Sequence, residues 1–460
     1  MKHLKNILKE LVHEMENTVP YAAALATEVA GERITVQTKQ QSADPIDPER
    51  GIVFTVFTGR HFMESSTHDL GHDSLRRTAQ ELVHWAEKEG IDPHGPYIDP
   101  GENRGQVYTV PCRTDPAEIP LAEKVEACQT YVDRLHSFDS RIVNALCQYS
   151  FIRNREFFVN RHKTLFQDLK RTQAVAMIVM RDGERSARLH TGRCRQGGYE
   201  HFRISNDEIT RLVADCGKIL MADRLTPGTY DCIFSPEFAG IFAHEAFGHG
   251  TETDMFLKKR AKGEEYMNQQ VASPLVDMFD SPARKGEAAS FLFDHEGQVR
   301  TATRIIEQGI LRSGLTDLNS ATRLNLERTA NGRRESFEHK AYARMTNTYF
   351  GPGKNKLKDM IRDIRFGFLL DHPSNGMEDP KGWGIQLEGY YAEKIRDGRL
   401  TGKVYTPVIV TGYVPELLQS ITMVGDDVKI SGLGMCGKGH KEWIKVTDGG
   451  PYLRLKARLA

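Results

Sequence analysis

The sequence predicts an α+β protein, with an N-terminal antiparallel sheet covered by helices and a mostly β C-terminal part carrying one apolar helix. Three patterns carry that expectation. The first half alternates period-2 and period-3.6 segments, the second half is dense in short strand patterns cut by turns, and one run, Phe238 to Phe247, is apolar without alternation. In order, Leu4, Ile7, Leu8, Leu11 and Val12 recur at helical spacing, so the charged start reads as an amphipathic helix rather than a secretory signal. Arg33 to Lys39 and Gly51 to Thr58 alternate apolar and polar residues, and the Asp44–Pro48 run between them reads as a turn-rich link. Helical patterns follow at Ser74 to Lys88 and Pro116 to Leu135. Ile142 to Tyr149, Arg155 to Val159 and Gln173 to Met180 then form a strand meander closed by turns such as Arg181-Asp182-Gly183-Glu184. A helix from Asn206 to Ala222 runs into Thr226-Pro227-Gly228, the expected boundary between a domain over residues 1–225 and one over residues 226–460.

The second half begins with a short buried strand around Tyr230 to Phe234, and Ser235-Pro236-Glu237 marks a helix start. Further strands are expected at Ser290 to Phe293, Thr301 to Glu307, Ile310 to Gly314, Gly384 to Lys394, Gly402 to Ile409, Ser420 to Val424 and Tyr452 to Leu459. A chain of 460 residues exceeds what one core usually organises, which also favours two domains.

Composition removes several function classes. Lys+Arg and Asp+Glu both number 62, so no basic excess points to nucleic acid. No window approaches the ~18 apolar residues of a membrane span. Seven scattered cysteines without a CxxC pair fit a reducing compartment, and the expected location is the cytoplasm.

The chemistry concentrates in His244-Glu245-Ala246-Phe247-Gly248-His249 and in Cys436, a lone thiol among glycines. Two imidazoles, a carboxylate beside the first and a distant thiol are the parts needed to bind zinc and activate water. Histidines five apart do not share a face of a regular helix, unlike the four-residue spacing of HExxH. Both reach one ion only if the helix breaks or widens between them, through Gly248 and Gly250 or a single π-type turn. The plain alternative is a polar helix end.

Four runs in this half resemble the TldD/PmbA family, specifically its TldD-like metallopeptidase members: His244 to Gly250, Asn331-Gly-Arg-Arg-Glu-Ser336, Arg344-Met-Thr-Asn-Thr-Tyr349 and Gly434-Met-Cys-Gly-Lys438. They stand in the family's order over about the last 235 residues, whereas the N-terminal half resembles the family only in layout. PmbA-like partners generally lack the zinc motif, which this chain keeps. The resemblance implies that His244, His249 and Cys436 bind Zn2+ and that Glu245 is the general base. It also implies a homodimer, or a heterodimer with a PmbA-like subunit, enclosing a cavity that admits unfolded peptides or small unstructured proteins.

Other residues are open to several readings. Arg333, Arg334, Arg344 and Asn347 are candidate substrate-binding groups, with structural pairing or turn roles as alternatives. Glu252 and Asp254 either orient His249 or form a solvated acidic turn, and His339 stands behind the site or on the surface. His440, four residues past Cys436 where the family often has a glycine–glutamine pair, is within reach as a competing ligand, but three ligands are already supplied without it. Two rival functions remain: a non-hydrolytic or chaperone-like subunit that merely keeps the motif, and a zinc amidohydrolase of small modified peptides.

Overall fold

The computed structural model describes residues 4–102, 104–438 and 442–460. Its first sheet contains β1 (Tyr21–Gln37), β2 (Gln40–Phe57), β3 (Phe62–Thr67), β4 (Arg104–Thr109), β5 (Ile142–Asn160), β6 (Lys163–Asp182) and β7 (Arg185–Gln196). The order is β3-β2-β1-β5-β6-β4, with β7 also paired to β6. All neighbours are antiparallel except β4, which runs parallel to the start of β6.

Alternation along β1 assigns its two faces. Ala22, Ala24 and Ala26 pack under α1 (Leu4–Met15) and α2 (His72–Glu89), which bury Leu8, Leu11, Leu75 and Leu82. Farther along the same face, Ile34 and Val36 meet α3 (Leu121–Phe138) and α4 (Asn206–Leu220). Ser205 caps α4 by accepting the Glu208 N–H, while the Glu208 carboxylate accepts the Ser205 N–H at 2.8 Å. The odd positions Tyr21, Ala23 and Leu25 face the opposite way, onto Leu292, Phe293 and Leu318 from the second half. Each such buried side chain contributes about 1.5–3 kcal/mol, which ties the halves together through apolar contact.

The second half is built around a ring of paired strands. β8 (Gly228–Phe234) pairs in parallel with Phe366–Glu378 and antiparallel with Leu453–Leu459; the pairing then passes through Val408–Tyr413 and Gly384–Arg396 and returns to Phe366–Glu378. Packed against it is α5 (Pro236–Ala243), whose Phe238 and Phe242 are fully buried. A further sheet joins Asn347–Phe350 in parallel to Thr447–Gly450 and antiparallel to Met278–Asp280. No helix among the described residues is long and apolar enough to cross a membrane.

Several expected elements differ. Asp44–Pro48 is not a link but part of β2: Asp44, Pro45 and Ile46 pair with Arg33, Glu32 and Gly31, and Asp47 and Pro48 fall at a register irregularity. β3 covers only Ile52–Phe57 of β2, so the other edge at the prolines needs no N–H donor there. Ser290–Phe293 is not a strand: the Gln167 side chain accepts the N–H groups of Leu292 and Phe293 and donates to the Phe293 carbonyl, standing in for a partner strand. Only Met423–Val424 of the expected Ser420–Val424 strand forms, after a helix at Val414–Gln419. Phe366–Glu378 was not expected as a strand, because Pro373, Asn375 and Gly376 carry turn chemistry. They are accommodated by His372 at positive φ and a register shift between Pro373 and Asn375.

The Asn331–Ser336 and Arg344–Tyr349 runs meet at one buried carboxylate. Asp280 accepts from Asn331 Nδ2 (2.9 Å), the Thr346 N–H (2.8 Å), Thr346 Oγ1 (2.6 Å) and Thr348 Oγ1 (2.9 Å). Asp280→Ala strands four buried donors, so stability should fall by about 3 kcal/mol or more, read as a lower midpoint of chemical or thermal denaturation.

Candidate metal centre

α5 starts cleanly because Ser235 accepts the Phe238 N–H and Pro236 occupies the first turn, where no N–H is needed. At His244 the helix widens into one π turn, His244–Gly248, closed by the His249 N–H on the His244 carbonyl. That i→i+5 bond brings the two histidines onto one side, their rings 5.0 Å apart and nearly perpendicular. A short 3-10 turn, His249–Thr251, ends the segment, and Thr251 Oγ1 returns to the Phe247 carbonyl at 2.6 Å. Gly248 is required by packing: a Cβ there would lie 2.1 Å from Met345 Sδ.

Cys436 arrives from the far end of the chain on Met435–Lys438, a short strand paired with Glu442–Lys445. Gly437 lies within this strand and Gly434 just ahead of it. One donor atom each from His244, His249 and Cys436 lies within 4.8 Å of the others, and Cys436 Sγ is 3.5 Å from His249 Nε2. Burial raises the pKa of the Cys436 thiol, but His249 and His244 outweigh it and hold that pKa well below the usual range. His440 lies outside the described residues.

Behind the trio is a buried charge network. Glu252, 1% exposed, meets His249 Nδ1 at 3.0 Å and Lys438 Nζ at 3.1 Å. Lys438 also reaches Asp254 at 2.6 Å and donates to the Ala343 carbonyl. Burial opposes the Glu252 charge, yet Lys438 and His249 keep its pKa low; burial dominates at Asp254 and pushes that one up. One ammonium shared by two carboxylates explains the split. Glu252 thus orients His249, and the acidic pair is not a solvated turn.

The trio borders a cavity of about 820 Å³, into which Glu245 also faces. Gly376 lies against Glu245, and a Cβ there would stand 2.6 Å from Glu245 Cγ. Glu378 borders the same cavity with both carboxylate oxygens buried and without a partner among the described residues; burial, with Glu245 and Glu252 nearby, pushes its pKa up to about 9. Sequence reading missed Glu378 and Lys438. Glu378 follows a segment that reads as a loop, and Lys438 stood inside a recognised run without any sign of what it would pair with.

The four candidate substrate residues are elsewhere, and none borders this cavity. Arg344, fully buried, donates to the Cys436 carbonyl at 2.7 Å and the Glu442 carbonyl at 3.2 Å. Arg333 donates to the Met345 and Lys445 carbonyls. Arg334 pairs with Glu64 at 2.7 Å, joining the two halves. Asn347 donates to the Ser281 carbonyl and the Ser290 hydroxyl and accepts from Thr447. His339 bonds Ser336, away from the trio.

Comparison with known proteins agrees with the motif runs. The sequence pattern described as the PmbA/TldA metallopeptidase C-terminal domain matches residues 227–458. A metalloprotease of Methanothermobacter thermautotrophicus is 30% identical over 345 residues, 74% of either chain. A zinc metalloprotease TldD homolog of Saccharolobus solfataricus is 26% identical over 374 residues, 77% of this chain and 81% of that protein. The crystal structure of TldE from Thermococcus kodakarensis shares the fold, with a TM-score of 0.75 at 16% identity over 99% of this chain and all of that one.

Lys438→Met removes the ammonium shared by Glu252 and Asp254, leaving them only His249 and the more distant Lys258, and should cost about 3 kcal/mol, measured as a fall in the denaturation midpoint against the wild type.

Proposed function

The chain belongs to the TldD/PmbA metallopeptidase family, and from that membership and the geometry of the trio we propose a zinc-dependent peptidase acting on unfolded peptides or small unstructured proteins. The carrying observation is the convergence of two imidazoles and a thiol on one point beside the Glu245 carboxylate. Nitrogen and sulfur donors of this kind suit zinc, and three of them leave room for a substrate oxygen. The fit is supported by His244 Nδ1, a buried ring nitrogen with no hydrogen-bond partner among the described residues. His244, His249 and Cys436 would hold the ion, which supplies Lewis acidity to the cavity when bound.

The remaining chemistry falls to the chain itself. Glu245 takes the proton of the attacking water on its carboxylate and hands it to the leaving amine. Glu252 fixes the His249 ring from behind through Nδ1. Arg344, by gripping the carbonyl of Cys436 itself, holds the thiol's strand in position, which we assign to it in place of substrate contact.

Two strand edges favour an extended substrate. Among the described residues the Asn375–Glu378 stretch pairs only with Gly384–Arg396, and Met435–Lys438 only with Glu442–Lys445; both border the cavity. A peptide added as a strand would satisfy those backbone groups with little dependence on its side chains. Met377, Met435 and Trp443 are exposed at the same cavity, apolar surface that a peptide or a second subunit would cover. We therefore include in the proposal a dimer, of two such chains or with a PmbA-like subunit, that encloses the site. The seven free cysteines support a reducing compartment, hence the cytoplasm.

Hydrolysis of an unstructured peptide by the zinc-loaded chain tests this reading. Glu245→Ala should retain zinc and lose about 10²–10⁴ in turnover, and Cys436→Ala should lose zinc and activity together. Equal cleavage by wild type and both variants would sink the assignment. Gly376→Val, which displaces Glu245 without touching a donor atom, should likewise keep the metal content and lower kcat, checked by metal analysis beside the assay.

A further inference from the structure

A second cavity, about 370 Å³, lies between the face of β5 and β6 and the paired strands Met435–Lys438 and Glu442–Lys445. Five arginine or lysine side chains border it: Arg33, which is exposed, Arg334, which pairs with Glu64, and Arg171, Arg333 and Lys445, which have no carboxylate within ion-pair distance among the described residues. Arg171 donates to the Ala288 carbonyl and to Asn154 Oδ1. Arg333 spends its two terminal nitrogens on the Met345 and Lys445 carbonyls and lies over the Phe291 ring at 5.5 Å. Lys445 differs from these in that its buried Nζ has no hydrogen-bond partner among the described residues. Ser150 Oγ, on β5 and bordering the same space, is also buried and unpartnered.

The carboxylates present do not balance them. Glu156 is engaged by Gln167 and by His295 at 3.5 Å. Asp294 accepts the backbone N–H groups of Glu296, Gln298 and Gly332. Glu335 borders the cavity as an exposed residue near His339. Arg334 is neutralised by Glu64. The balance stays against these charges: at Arg333 burial first, then repulsion from Arg171 and Arg344, outweighs attraction from Asp280 and Glu156 and brings it down to about 9, and at Lys445 burial and Arg171 outweigh Cys194 and Asp448 and lower it. An uncompensated buried charge is among the most expensive features a fold can carry. Two unmet donors and two cations around a space this size are arranged as a receptor for an anion with several acceptor oxygens.

We propose that this cavity binds a small oxyanion, carboxylate or phosphate, held by Lys445 Nζ and Ser150 Oγ and neutralised by Arg171 and Arg333. The anion shares a wall with the metal cavity, since Met435 and Trp443 border both. The register sets Met435 opposite Lys445 and Cys436 opposite Ile444, so an anion on Lys445 loads the strand pair that carries the thiol. The ligand comes either from a free ion or from the carboxylate of a peptide lying across the strand pair.

Calorimetric titration of the full chain, chelator-treated so that no peptide is cleaved, separates these sources and does not depend on the peptidase reading. The probes are inorganic phosphate and an N-acetylated tripeptide as its free acid and as its amide. Phosphate should bind if the source is a free ion; a preference for the acid over the amide should appear if it is a peptide carboxylate. Lys445→Met, which keeps the stem and removes the charge, should weaken whichever is seen by about tenfold or more, and Ser150→Ala by a few-fold. Far-UV circular dichroism identifies a misfolded Lys445→Met, in which case Ser150→Ala decides. The proposal falls if the wild type binds neither phosphate nor acid in preference to amide, or if the folded variants bind as the wild type does.

Discussion

One widened turn governs the chemistry of this molecule. At 3.6 residues per turn, positions five apart diverge, and His244 and His249 would face different surroundings. The i→i+5 closure removes that divergence, and the surroundings leave little alternative to it. Phe242 and Phe247 are buried on opposite sides of the change of pitch, Trp383 packs on Phe247 at 5.3 Å between ring centroids, and Met345 fills the space beside Gly248. The irregularity is thus supported by apolar packing on the far side of the helix while the polar side stays open to the cavity. Segments of this kind, costly alone and over-determined by their neighbours, are where function is usually found.

Around that turn, most polar residues of the recognisable runs serve the scaffold. Arg333, Arg334, Arg344 and Asn347 are buried, and each spends its donors on a carbonyl, a hydroxyl or the Glu64 carboxylate. Asp280 draws together the segments on which Asn331 and Thr346 sit, and Lys438 binds the strand of the thiol to the acidic residues behind His249. Their common effect is to hold Met435–Lys438 against the histidine segment. A motif can therefore be diagnostic of a chemistry without its members touching substrate.

What the sequence made legible follows from locality. Helical periodicity located α1, α2 and α4 because each buries a stripe of its own residues, and the five-residue histidine spacing implied a break or π turn by geometry alone. Features made by distant partners were not legible. The Gln167 side chain substitutes for a strand beside Phe293 from 126 residues away, and no local pattern announces that. Phe366–Glu378 carries Pro373 and Gly376, which read as breakers until β8 and Gly384–Arg396 are known to flank it. Glu378 and Lys445 matter because their polar atoms lack partners among the described residues, a property of the assembled interior and not of any stretch of chain.

The separation between the thiol and the imidazoles bears on when the site can exist. Cys436 and His249 are 187 positions apart, and closing a loop of that length costs about 4–5 kcal/mol of chain entropy before any contact rewards it. The ring makes this closure cooperative: β8, immediately ahead of α5, pairs with Leu453–Leu459, which follows the thiol's strand pair. A chain that has folded only its helix and neighbouring strands therefore presents two imidazoles and no sulfur. The third donor arrives only when the Met435–Lys438 strand docks, so the complete centre depends on a long-range closure that the helix and its neighbouring strands cannot supply.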